Sequence, residues 1–164
     1  SLEEETDLVN MALDELRKLS GQPIKGWISP AKNESHSTPQ LLAENGIEYF
    51  CDWVNDDMPY EFFTNAGTLI AMPLSTELED KFILMDNLHS ELSYKEQIID
   101  ACNYLLDEAS NKGGRILALN LHPWLLGQPH RIQILDQLLE YLSSQTDIWS
   151  ASPSDIISVF NSQS

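Results

Sequence analysis

An imidazole, His122, closes the apolar run Arg115-Ile116-Leu117-Ala118-Leu119-Asn120-Leu121 and is followed at once by Pro123 and Trp124. Histidine is the usual general acid or base near neutral pH. Pro123 fixes its own φ and biases His122 away from the helical region, so the run reads as a strand that stops at a titratable side chain. In α/β proteins the carboxyl ends of parallel strands are where ligands bind. Alternation places Ile116, Ala118, Asn120 and His122 on one face and Leu117, Leu119 and Leu121 on the other. Two readings stand side by side: a hydrogen-bonded core histidine, or a pocket-lining one for which Ala118 and Asn120 leave room.

A second concentration of chemistry is Asp52-Trp53-Val54-Asn55-Asp56-Asp57. Carboxylates just past a strand can hold a cation, orient another group or bind sugar hydroxyls. An ordinary polar turn closed by Pro59 is the alternative. Trp53 and Tyr60 flank the acids, and Trp27 and Trp124 stand near prolines at strand ends; each ring is a pocket wall or simple packing. Arg131 reads as an ion-pair former with one of these acids. His36 and His89 have no partner pattern and read as solvated. No His-x-x-x-His, P-loop, Gly-rich phosphate loop or Gly-x-Ser-x-Gly is present, so a nucleophilic triad and a nucleotide site lack support.

Elements that position these groups follow from capping and periodicity. Ser1 with Glu4 forms a capping-box pattern ahead of Val9, Ala12, Leu13 and Leu16, which predicts a helix to Leu19, ended by Gly21 and Pro23. Strands are expected at Ile24 to Ser29, Ile47 to Cys51 and Thr68 to Met72, with a helix from Thr38-Pro39 to Asn45-Gly46 between the first two. Ser93 with Glu96 predicts a helix to Ser110 whose inner face is Ile98, Cys102, Leu105 and Ala109. Gly113-Gly114 delivers the chain into the strand before His122. Pro129 opens a helix with Leu135, Leu138, Leu139 and Leu142 inward. Ile148 to Ser150 reads as a last short strand, and Ser152-Pro153 caps a terminal helix carrying Ile156, Ile157, Val159 and Phe160. The stretch Thr76 to His89 gives no clear pattern beyond a helical turn. Helix–strand alternation of this kind predicts an α/β fold: a mainly parallel sheet with outer helices, open or curled into part of a barrel, in one domain over 1–164.

Composition narrows the partners. The formal net charge is −17, from 26 acidic and 9 basic residues. Such a chain repels phosphate backbones and anionic lipid, so neither nucleic acid nor membrane is expected. No apolar run spans a bilayer and no basic-then-apolar start reads as a signal peptide. Cys51 and Cys102 are the only cysteines. They make no Cys-x-x-Cys and read as two buried thiols, compatible with a reducing compartment, and a cytoplasmic location is expected.

Three segments carry a family resemblance. The first is Gly26-Trp27-Ile28-Ser29-Pro30 with Glu34-Ser35 and Thr38 to Gly46. The second is Asp52 to Tyr60. The third is Leu119 to Trp124 with Gly127-Gln128-Pro129-His130-Arg131. In this order they resemble the third, fourth and fifth motif regions of the polysaccharide deacetylase superfamily, the one with the NodB-type domain. The resemblance is greatest to its allantoinase-like and peptidoglycan-deacetylase-like branch. It implies a distorted (β/α) barrel with its site at the strand carboxyl ends, and hydrolysis of N-acetyl or related non-peptide C–N bonds. It makes His122 the general acid that protonates the leaving amine. It puts Asp56 and Asp57 in the pocket as shaping acids, with Trp27 and Trp124 as pocket walls and Arg131 among the substrate-binding residues.

Departures from the family pattern bear on activity. The first motif, with the catalytic base and a metal-binding aspartate, and the second, with the paired metal histidines, have no counterpart here. Trp27 stands where many members place an arginine. The resemblance therefore implies the carboxyl-terminal half to two-thirds of such a domain, a partial barrel lacking its first strands and inactive by itself. No cofactor is expected in this chain alone; a zinc-like divalent metal enters only if the missing ligands are supplied. A half-barrel leaves a raw sheet edge, so a homodimer or a complementing chain is expected, with a carbohydrate or small amide as ligand. A non-catalytic sugar-binding or small-amide-binding module is the competing expectation, and an inert remnant that still folds is a third.

Overall fold

The computed structural model describes residues 1–163, which form two compact units. The first comprises Ser1–Pro73 and the segment from Ala151 onward; the second is Leu74–Ser150.

Helix α1 (Leu2–Ser20) opens the first unit with the predicted reciprocal cap: Glu4 N–H donates to Ser1 Oγ while the Glu4 carboxylate takes the Ser1 amine. Gly21 closes it at φ 64°, left-handed backbone that suits glycine. Val9 and Leu13 are buried from this helix, whereas Leu16 is exposed. Strands β1 (Gly26–Trp27) and β2 (Tyr49–Phe50) are shorter than the apolar runs that announce them. Helix α2 (Thr38–Glu44) lies between them, with Pro39 in its first turn.

Strand β3 (Tyr60–Thr64), which the acidic loop had masked in the sequence, pairs antiparallel with β4 (Gly67–Ala71). The four strands run β1-β2-β4-β3, the first two pairings parallel. The sheet is thus mixed and open, and no closed barrel forms among the described residues. Leu13, Leu42, Phe50 and Leu69 form the centre of its core, with Trp27 and Trp53 against the edge. Gly26 packs closely on β2: a Cβ there would run into the Tyr49 ring, which would have to move. Helix α6 (Pro153–Gln163) returns to this unit, and its Ser152 and Asp155 cap each other.

In the second unit, a π-helical turn (Phe82–Asp86) precedes α3 (Glu91–Lys112). That helix starts earlier than predicted because Ser90, not Ser93, supplies the cap. Short α4 (Pro123–Leu126) and longer α5 (Ile132–Ser144) follow. Ile83, Tyr94, Ile98, Leu125, Leu126 and Leu138 form the core, while Leu139 is exposed.

The expected strand from Arg115 to Leu121 has no regular secondary structure and no sheet pairing, and the same holds for the segment expected as a strand at Ile148 to Ser150. Alternation survives without the ladder: Leu117, Leu119 and Leu121 all pack on the second core. Periodicity of two reports which face is apolar, and it does not by itself supply a neighbouring strand. Cys51 and Cys102 are both buried and free.

Candidate functional site

His122 sits where the sequence put it, at the end of the Arg115 to Leu121 run and as the N-cap of α4, with φ −103° and ψ 109°. Pro123 enforces that backbone, and the His122 carbonyl accepts the first two N–H groups that α4 leaves over, those of Leu125 and Leu126. Its ring is fixed by a residue the sequence reading passed over. Asp80 is wholly buried, and its Oδ1 lies 2.6 Å from His122 Nδ1. Oδ2 accepts the His122 backbone N–H at 2.7 Å, and Oδ1 also accepts the Lys81 N–H at 2.7 Å. Three donors converge on one carboxylate, which is how a buried charge is made tolerable.

Glu79 Oε1 lies 3.6 Å from Nε2, and the Trp124 ring meets the imidazole edge-to-face with centroids 5.5 Å apart. Behind Asp80, the hydroxyl of fully buried Tyr94 has no hydrogen-bond partner among the described residues. Burial, then the Asp80 charge, pushes that phenol well above its ordinary range.

An imidazole with a buried aspartate on Nδ1 and a freer Nε2 is the arrangement of a general acid or base. The core-histidine reading holds to the extent that the ring is anchored; the ring is nevertheless about a quarter exposed, at 26% of its side-chain area. Trp124 is exposed and lies beside it. Arg131 donates through Nε to Glu91 Oε1 at 2.8 Å, so its ion-pair partner is this α3 residue rather than an acid of the 52–57 loop. The pair holds Glu91 below the ordinary carboxylate range. His89, expected to be solvated, contacts Ser93 Oγ at 3.1 Å but is exposed.

The other predicted residues belong to the first unit. Trp27 Nε1 donates to Ser29 Oγ at 3.0 Å. Ser29, buried, gives both its backbone N–H and its hydroxyl to the Asp52 carboxylate, each at 2.8 Å. Asp52 is therefore the anchored acid of its loop. Asp56 and Asp57 are exposed, and Asp56 does no more than close a turn onto the Met58 N–H.

Ala31 and Lys32 adopt φ of 54° and 53° after Pro30, unusual backbone for residues with a Cβ. That tight turn brings Glu34 back toward Asp52. Burial first, then the charges of Asp52 and Glu5, push the Glu34 carboxyl up to about 7. Glu5 in turn accepts the hydroxyls of Ser35 and Thr38.

The donor set does not fit a metal ion. Among the described residues no three His, Cys, Asp or Glu side chains gather in a way that could hold one.

The fold is that of an open-sheet α/β chain of the NodB-like class. A solved polysaccharide deacetylase of Pseudomonas aeruginosa PAO1, itself assigned by inference, is 24% identical, with a TM-score of 0.88 over 99% of this chain and 55% of that one. A solved chain from Mycobacterium smegmatis, provisionally named a polysaccharide deacetylase, is also 24% identical, with a TM-score of 0.83 and 58% of its length covered. The crystal structure of Puue allantoinase gives 0.89 at 25% identity, with 54% of its length covered. In sequence, a curated Schizosaccharomyces pombe protein provisionally named a polysaccharide deacetylase is 24% identical over 122 residues, 68% of this chain and 38% of the relative. No family model matches. These curated and structural neighbours support the polysaccharide deacetylase, or NodB-like, superfamily, the resemblance read from the motifs. The chain spans about half the length of the solved relatives and less of the curated one.

Proposed function

We propose that this chain carries the general-acid half of a carbohydrate N-deacetylase-like site, with His122 as the acid and Asp80 as the carboxylate that sets its tautomer. The observation that carries this reading is the pair of hydrogen bonds that the Asp80 carboxylate makes with the ring and the backbone N–H of His122. The reaction is hydrolysis of an N-acetyl or related non-peptide C–N bond: water adds to the carbonyl carbon, the C–N bond breaks, and Nε2 of His122 gives its proton to the departing nitrogen. Trp124 beside the ring offers a face for a pyranose, and Arg131 is the further substrate-binding residue of this unit in the proposal.

A base and a metal-activated water are the other half of such chemistry. Among the described residues no cluster of side chains could hold the metal, so the chain by itself is inactive in this reading. Activity needs the missing groups from chain outside this stretch or from a complementing chain, and a homodimer or hetero-partner is the form in which it works.

A hydrolysis assay on N-acetylated oligosaccharides, read by mass spectrometry, tests this with zinc present and with the chain complemented by the amino-terminal part of a relative's domain. Product that forms on complementation and is lost in His122→Ala is expected. Product that persists in that variant removes the assignment. Binding without product under every condition marks a non-catalytic module instead.

A further inference from the structure

The imidazole of His122 is flanked by a carboxylate on each nitrogen, and both come from consecutive residues, Glu79 and Asp80. The backbone holds that pair firmly. The Glu79 carbonyl accepts the Ile83 N–H at 3.0 Å, and the Asp80 N–H points to the Asn120 carbonyl at 3.5 Å, two residues before His122. The Asp80 carboxylate meets two backbone N–H donors, those of Lys81 and His122, and the ring at Nδ1. With the carboxylate as acceptor, the proton of that third bond sits on Nδ1.

Nε2 then holds either a lone pair or a second proton. A lone pair facing Glu79 Oε1 at 3.6 Å meets negative charge; a proton there meets its counter-charge. The Glu79 side chain is only 16% exposed, so solvent screens the interaction weakly. From α3, the Tyr94 hydroxyl feels Asp80, and from α4 the Trp124 ring meets the imidazole. Glu79 and Asp80 are the ion-pair partners of the imidazole among the described residues.

We propose that Glu79 is a positioning residue that keeps a second proton on Nε2 of His122, the proton a general acid must deliver. The inference rests on the reading of His122 as that acid. In the step, the proton leaves Nε2 for the departing nitrogen as the C–N bond breaks, and that bond's electron pair receives it. The ring is left neutral with Nδ1–H still on Asp80, which stays ionised throughout. Glu79 touches no reacting atom and acts through the imidazole.

Long-range ¹H–¹⁵N spectra of the imidazole nitrogens in the full chain read the proton count directly. At fixed pH, Glu79→Gln is expected to lower the ratio of doubly to singly protonated His122 about fivefold, with Nδ1 as the nitrogen that stays protonated. Glu79→Asp, which keeps the charge, is expected to restore part of the ratio. A His122 spectrum identical in wild type and Glu79→Gln across the pH range overturns the proposal. So does a wild-type ring whose single proton sits on Nε2. Circular dichroism establishes that the variants fold; if Glu79→Gln does not, Glu79→Asp against wild type must show the same direction of change, and no change there also overturns it. The two layers fail separately: a hydrolysis assay indifferent to His122→Ala removes the acid role and leaves the spectra as they are.

Discussion

Asp80 grips His122 twice, through the ring Nδ1 at 2.6 Å and through the backbone N–H at 2.7 Å, across 42 residues of chain. One bond orients the imidazole and the other orients the backbone from which it projects. The ring therefore has little freedom to rotate away from its position, which is what a proton donor needs if its Nε2 is to stay aimed.

Asp80→Asn removes the charge and replaces one acceptor with a donor, leaving at least one of three buried N–H groups without a partner. A loss of about 2–4 kcal/mol in unfolding free energy is expected from urea titration. A cost near zero would mean that the three bonds are not made in solution.

Tyr94→Phe is expected to do the opposite. The hydroxyl is fully buried without a hydrogen-bond partner among the described residues, so removing it relieves a desolvation cost. Thermal unfolding of Tyr94→Phe should match or exceed wild type by up to about 1 kcal/mol. A clear loss would reveal a partner for that oxygen.

Glu34 gives the first unit a pH dependence. Its carboxyl is raised from 4.5 to about 7 in the folded chain, so the folded state keeps a proton that the unfolded state has released. Stability is highest below the unfolded value and falls as pH rises through about 7, where the native carboxyl must ionise. Partial exposure screens the effect, and it is expected to amount to roughly 1 kcal/mol. Urea midpoints at pH 5 and pH 8 should fall less in Glu34→Gln than in wild type; parallel behaviour of the two would exclude this carboxyl as the source.

Trp124 is exposed, so Trp124→Ala should change stability by less than about 1 kcal/mol. If the ring forms a sugar platform beside His122, the same variant weakens oligosaccharide binding several-fold by fluorescence or calorimetry. Unchanged binding would return Trp124 to the role of a surface ring.

Much of this protein was legible in the amino-acid order because the signals were local. Capping at Ser1 and Ser152, the Pro39 helix start and the bend that Pro123 imposes on His122 depend on neighbours within a few residues. The motif order from Trp27 to Trp124 likewise carried the family resemblance. Partners distant in sequence were not legible. Asp80 lies in the one stretch without periodicity, and nothing in Leu78-Glu79-Asp80-Lys81 marks which of its charges will be buried. Arg131 carried the right expectation of an ion pair and the wrong partner, since a charge finds whichever opposite charge folding brings near. The Arg115 to Leu121 run announced its apolar face and not its missing ladder, because strand pairing is a property of two segments and periodicity a property of one. Local sterics and caps act within a turn or two of chain, whereas a buried carboxylate on an imidazole exists only after the core has closed around both.

An interior aspartate holds Nδ1 of His122 and the backbone N–H beneath it. Nuclear magnetic resonance showing that ring flipping freely, with no slowed proton at Nδ1, would undo it.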